Sequence, residues 1–534
     1  MNKYLLVLLI IGGSTVFSSQ VVGQSFGQEV GQLSGGFEST SQFYKNDETI
    51  NAQKPDQGLG TNNYFKLDYS IGQFTFGVRY EAYLPPLLGY PEELNQKGVV
   101  NRFATYQNEV LRVTAGNFYE QFGAGLILRA YEERLLGIDN SIDGIHVQVT
   151  PKPGIELTGL YGVQRDNFEE GEGQVRGLDV VLELNELLPI NGLTIRPGWS
   201  LVSKYQEYTG PDESFPEVVD AYSYRLALSG TTYSVDAEYV DKSSDPSVAN
   251  AFSEEKGSAL LVNAGYAGSG IGINGTFRRI ENSEMRSDRT ASINRLWMNY
   301  LPAETRQHGY LLANIYPYNA QALGEIGGQL DITYKFARES MLGGKYGTKV
   351  ALNFSQYHGL KTDDNGENTD FFGFGEEKYY QDFNVEFAKK LSRKLKLTLT
   401  YINQKYNKEQ VEGVPSDLIE TQIGVIEILQ KLASRKSIRL EVQHLWTDQD
   451  MKNWAAGLIE FNMAPNWSFY LLDQFNYGGT DEVHYYQAGL AYMKGSTRIG
   501  ANYGRQRGGL LCVGGVCRFV PAATGLSVSV STTF

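Results

Sequence analysis

The chain has 534 residues, with 61 Asp or Glu against 47 Lys or Arg and a formal net charge of −14, which excludes the basic footprint of a nucleic-acid-binding protein. Aromatic residues make up 12% and 59 glycines stand against 16 prolines, a balance that favours β structure. Beyond the N-terminus no run of apolar residues approaches the length of a membrane-spanning helix, which excludes a helical membrane protein but not a barrel, where only alternate residues meet lipid.

The chain opens on Met1-Asn2-Lys3 and an apolar run from Tyr4 to Gly12, the layout of a secretory signal peptide. Small residues at Val21-Val22-Gly23 suit a cut there, and no Cys lies near to make a lipoprotein. The expected organisation is a signal peptide over 1–23 and one domain over 24–534, exported to the cell outer membrane, since no linker or shift of composition divides the rest.

Alternation with period two recurs from there on. Phe74, Phe76, Val78 and Tyr80 alternate with Thr75, Gly77, Arg79 and Glu81. Leu178, Val180, Leu182 and Leu184 alternate with Asp179, Val181 and Glu183, and Tyr233, Val235, Ala237 and Tyr239 with Ser234, Asp236 and Glu238. Leu395, Leu397, Leu399 and Tyr401 are interleaved with Lys394, Lys396, Thr398 and Thr400, and Ile438, Leu440 and Val442 with Arg439, Glu441 and Gln443.

A soluble antiparallel sheet would alternate in the same way, but its connections would not be sorted by length. Here short turns near Gly72, Asn108, Pro151–Gly154, Glu186–Pro189, Gly230, Gly268–Gly270, Lys389–Lys394, Ala433–Lys436, Pro465 and Lys494-Gly495 alternate with longer polar connections over 45–60, 84–99, 119–140, 165–174, 205–218, 243–256, 281–324, 359–376 and 405–418. Short periplasmic turns opposite long extracellular loops are the mark of a transmembrane barrel. The fold class expected is therefore all-β: a transmembrane antiparallel up-and-down β-barrel of roughly 24 strands, within about 22–26. The final strand puts Leu526, Val528, Val530, Thr532 and Phe534 on one face, and a terminal Phe is the signal that barrel-assembly machinery would read. Outer-membrane lipid and that machinery are the expected partners, with a protein partner in an outer-membrane complex as a further one.

Barrels of about 16–18 strands leave a water-filled channel, and one of about 22 needs a plug. Residues 24–31 are too few for the plug domain of a TonB-dependent transporter, so occlusion falls to inward-folded loops or a partner. The stretch Asn117–Arg134 is too apolar for a solvated loop and mixes Glu120, Arg129, Glu132, Glu133 and Arg134. It reads either as a constriction loop whose opposed charges filter solutes, or as one more strand with a short loop. The 281–324 stretch holds Arg286, Arg289, Arg295, Trp297, Tyr300, Arg306, His308, Tyr310, Tyr316 and Tyr318. It reads either as a binding loop, with Arg295, Trp297, Tyr300, Tyr310, Tyr316 and Tyr318 as the residues that would stack on a sugar ring or a partner surface, or as a folded cap with no ligand, which is the reading expected.

Cys512 and Cys517 bracket Val513-Gly514-Gly515-Val516. Gly-Gly suits a two-residue hairpin turn, which places the two cysteines opposite each other as a non-hydrogen-bonded pair, close enough for a disulfide in an oxidising compartment. It would pin a loop tip outside the cell. His146, His308, His358, His444 and His484 are scattered without metal-ligand spacing, and the Asp363–Asp370 stretch departs from the EF-hand pattern, so neither metal nor cofactor is expected. No Ser-His-Asp set points to an enzyme.

Three stretches, Arg507–Pro521, Gln121–Glu133 (QFGAGLILRAYEE) and Leu342-Gly343-Gly344-Lys345-Tyr346-Gly347, together resemble an uncharacterised porin-like family of outer-membrane β-barrels from Bacteroidota, Gram-negative bacteria. The resemblance implies fold and location and carries no substrate. The function expected is a porin-like channel or uptake barrel for small polar solutes, closed by its own loops. The alternative is a non-conducting accessory barrel in a secretion or surface-assembly complex.

Overall fold

The computed structural model describes residues 31–534 apart from 209, 211–214, 364–368, 481 and 514–515. The expected signal peptide, the Gly514-Gly515 turn and most of the acidic 363–370 stretch thus lie outside the described residues. Twenty-four antiparallel strands form one closed sheet. Closure is made by the first and last strands, Gln32–Lys45 and Ala523–Thr533, in register from Gly36 opposite Thr533 to Lys45 opposite Thr524. Gly35 and Phe534 complete the seam by exchanging backbone hydrogen bonds of 2.9 and 3.0 Å. A Cβ on Gly35 would lie 2.6 Å from the Phe534 ring, so the ring lies over bare backbone there.

The alternation is inverted relative to a soluble sheet. Phe74, Phe76, Val78 and Tyr80 are exposed, while Arg79 and Glu81 on the alternate face are 4% and 1% exposed. The same holds for exposed Tyr233, Val235 and Tyr239 around buried Glu238, and for exposed Leu440 and Val442 around buried Glu441. Apolar side chains face out all round the wall because lipid, not water, is what such a face can meet without loss; the polar faces must be paired inside.

The two classes of connection fall on opposite ends of the barrel, as expected. Four local readings need correction. Strands Ile155–Asp166 and Glu169–Leu182 run on to leave a two-residue turn where a loop over 165–174 was expected. Strands Thr348–Thr362 and Thr369–Lys390 likewise extend into the expected 359–376 loop. Backbone pairing across the hairpin outweighs the polar composition that suggested loops. Leu184 starts a one-turn helix, Leu184–Leu187, and is not part of the strand before it. The short-edge connection 337–347, absent from the expected turns, is a run of tight turns held by Ser340, whose hydroxyl bonds Ala337 O at 2.7 Å and accepts from Gly343 N at 3.0 Å.

Candidate functional site

The lumen is occupied at the long-loop end by three segments of the chain. The first is 119–141, which leaves the wall at Phe118 and returns at Ile142. Its Phe122, Leu126, Ile127 and Leu128 are almost fully buried against inward-facing Val175, Val202, Val219 and Val240. The approach is close: Gly123 has φ +56°, and a Cβ there would stand 2.5 Å from the Glu238 carboxylate, which accepts the Ala124 N–H at 2.7 Å. The inward-folded reading of this stretch therefore holds, and the extra-strand reading fails, since its only ladder is Glu132-Glu133 against Ile138-Asp139, apart from the wall.

Buried charge ties this loop to the wall. Arg79 Nε lies 2.8 Å from Glu81, and its other nitrogens reach Glu132 at 3.0 Å and Asp139. Arg165 bridges Glu81 at 2.7 Å and Asp139 at 2.5 Å. Burial raises the Asp139 carboxyl, but Arg165 and Arg79 outweigh it and hold the group below its usual range. The Glu81, Glu132 and Asp139 oxygens lie within 4.8 Å of one another, but two guanidinium groups already balance them, so a metal would have to displace an arginine.

Of the five charges expected to face each other across a pore, Glu120, Arg129, Glu132 and Arg134 contact other parts of the molecule and Glu133 stays within its own turn. Glu132 binds Arg79 and, at 2.7 Å, Arg134; Arg134 also reaches Glu38 of the first strand at 2.7 Å and lies over the Tyr64 ring. Glu120 meets wall residue His146 at 2.6 Å. Glu133 accepts from Leu135 N within its own turn. The Arg129 guanidinium is stacked 3.8 Å from the Tyr300 ring centroid.

The second segment is 282–323. The sequence suggested a cap over the mouth; instead it packs inside the barrel against both sides of the wall. Met285 and Met298 join the core of the first loop, Tyr300 N donates to Gly125 O at 2.9 Å, and Asn299 to Leu126 O at 3.0 Å. Further on, Leu312, Ile315, Tyr316 and Tyr318 pack against Tyr357, Tyr380, Ile402, Tyr406 and Trp454 of the opposite arc. Polar contacts hold this half too: Arg278, paired within the wall with Glu325, donates to Pro302 O, His308 Nε2 lies 2.8 Å from Asp382, and Arg306 pairs with Glu386 at 3.0 Å.

The six expected stacking residues are engaged within the molecule. Arg295 pairs with Asp166, Trp297 Nε1 donates to Glu284 at 3.1 Å, and Tyr300 carries Arg129. Tyr310 shares a hydrogen bond with Thr400 at 3.2 Å, while Tyr316 and Tyr318 donate to Asp450 and Glu325. Burial, with Asp450 adding to it, pushes the Tyr316 hydroxyl well up.

The third segment is the hairpin Gly509–Val513 with Val516–Val520. Cys512 faces Cys517 and the two are joined as a disulfide, as the register argument required. The hairpin does not project from the mouth: Val513 and Val516 pack with Leu136, Ile138, Tyr131, Trp297 and Tyr300 on the other two segments. Sequence reasoning missed the wall residues that receive these loops, notably Arg165, Arg278, Glu325 and Asp382. The signal was present, since each stands on the polar side of an alternating strand or at its end, but alternation does not name partners.

A family model described as "Family of unknown function (DUF6029)" matches residues 1–534. No curated protein is similar to the chain in sequence. Among solved structures, the siderophore receptor PirA from Pseudomonas aeruginosa aligns over 95% of this chain and 81% of its own, at 10% identity and a TM-score of 0.40. The outer membrane transporter YddB from Escherichia coli aligns over 96% and 81%, at 7% identity and 0.40. Acinetobacter baumannii OccAB3 aligns over 94% and 98%, at 10% identity and 0.34.

Proposed function

The chain belongs to the DUF6029 family, and we propose that it is an outer-membrane barrel, exported by a signal peptide over 1–23, that works as a porin-like channel or uptake barrel for small polar solutes and rests closed by its own loops. The observation that carries this reading is the pairing of an apolar outer wall with a polar inner wall on which three lumenal segments are docked by reversible contacts, hydrogen bonds and ion pairs. Glu120, Arg129, Glu132 and Arg134 then act as the latch of the closed state, and together with Glu133 would face the solute path once 119–141 swings away.

The density of those anchors also favours a second reading, a permanently closed accessory barrel. Planar-bilayer recording of the purified protein separates the two. Discrete conductance steps, enlarged when residues 121–130 are deleted, support the channel. A silent wild type whose deletion variant conducts, together with partners that co-purify, supports the accessory barrel.

A further inference from the structure

The short-connection end of the barrel carries an unbalanced arc of positive charge. Residues 335–349, 389–396 and 431–436, which make up the ends and turns of successive strands, hold twelve Lys or Arg and a single acid, Glu339. The rest of the chain is correspondingly more acidic than the total shows. On the opposite arc, the turns 72–73, 108–110, 153–154, 183–193, 230–232 and 269–270 contain no Lys or Arg. Among the described residues, none of the twelve cations lies within 4.0 Å of a carboxylate, whereas many charged groups further along the wall are paired.

Two features show more than a solvated edge. Lys335 stands directly opposite Lys349 in the strand register, and Lys390 directly opposite Lys396. Like charges facing each other across a sheet destabilise it, so nothing in the fold itself explains keeping both pairs. Alternation also puts these four and Lys431 on the lumenal side, in line with buried Glu325, Asn353, Asn384, Thr398 and Val425. They look into the mouth, not out to lipid headgroups.

We propose that this arc docks an acidic polypeptide segment of a periplasmic partner. The spread of the charges chooses this occupant. The arc crosses five strand-to-strand steps, roughly 24 Å at the usual spacing, which a small anion cannot bridge and about seven residues of extended chain can. Of the carboxylates four residues up the same face from Lys335, Lys390 and Lys431, Glu386 and Glu427 are already paired with Arg306 and Arg439, and Asp331 accepts from Asn353, so none of them neutralises the lysines at the rim. The proposal holds whether or not the barrel conducts.

The test uses the full-length protein in phosphatidylcholine nanodiscs, with fluorescein-labelled poly-L-glutamate as probe. Binding is expected at low salt and should weaken steeply as salt rises. The variant K335Q/K349Q/K390Q/K396Q/K431Q should bind at least tenfold more weakly, whereas K45Q/K54Q/K97Q/K256Q/K361Q, with the same change of charge at the other end, should match the wild type. If the first variant does not fold, K335Q/K349Q alone, which relieves a repulsion, should fold and still lose several-fold. Absence of poly-L-glutamate binding overturns the proposal. So does equal loss in both five-site variants, competition by inorganic phosphate at matched charge, or binding that appears only when phosphatidylglycerol is added to the discs.

Discussion

Arg165 and Asp139 are in direct contact, guanidinium nitrogen to carboxylate oxygen at 2.5 Å, yet one belongs to the wall and the other to the loop that fills the lumen. Their side chains are 5% and 11% exposed, so the pair is shielded from salt and solvent. Together with Arg79 it makes the position of 119–141 depend on a few buried charges as well as on the apolar face around Ile127. A loop held in this way can be released by changing one group, which makes the closed state open to test.

Asp139→Ala should loosen the loop without opening the sheet. Orphaning a buried charge outright costs about 3–5 kcal/mol; here Arg79 and Arg165 keep Glu81, and Arg79 also Glu132, so the loss is expected to fall below that range. Bilayer conductance should rise above that of the wild type and protease cuts should appear within 119–141, while the heat-induced gel shift of the barrel is kept. An unchanged cleavage pattern would show that the apolar contacts suffice.

Acid should have the same effect, but only in a low range. The folded Asp139 carboxyl is held below its usual 3.8, so its stabilisation is complete above that value and is lost as pH falls through the lower folded one. Protease protection of the loop is expected to be constant from about pH 7 to about pH 5 and to fail only below the ordinary carboxylate range. Loss of protection near neutrality would assign the latch to another group.

Cys512→Ser with Cys517→Ser should act locally. The ring is short, so the loop-entropy contribution of the disulfide is about 2 kcal/mol and confined to the hairpin. Reduced or substituted protein should keep the thermal transition of the barrel. It should gain a protease-sensitive site near 509–520 and lose order in its contacts with Tyr131 and Trp297, read as faster hydrogen exchange there.

Phe534→Ala should lower assembly more than stability. The ring covers Gly35 at the seam but is largely exposed, so little packing is lost. The amount of folded barrel recovered from the outer-membrane fraction is expected to drop several-fold, with little change in the melting of what does assemble. Wild-type yield from Phe534→Ala would remove the terminal residue as an assembly signal.

Much of the architecture was legible in the residues. The alternation around Arg79 and Glu81, the sorting of turns by length and the amphipathic strand ending at Phe534 specified a barrel of roughly 24 strands, within about two of the number found. The Cys512–Cys517 bond followed from counting outward from a two-residue turn. These properties are local: period two, turn length and register are set within a few residues of chain, so the sequence states them directly.

The lumen was legible only in outline. That Asn117–Arg134 is too apolar for a solvated loop could be seen, but not whether its charges face water or arginine. Aromatic residues over 281–324 suggested a cap on the surface, whereas Tyr316 and Tyr318 fill the interior against a wall more than thirty residues further along the chain. Sequence by itself determined that this protein is a barrel and which faces of its strands meet lipid. Tertiary structure alone decided what fills it, because Arg79, Asp382 and Glu386, which meet Asp139, His308 and Arg306, come from wall strands 60 to 80 residues away in sequence and reach them only as the sheet forms.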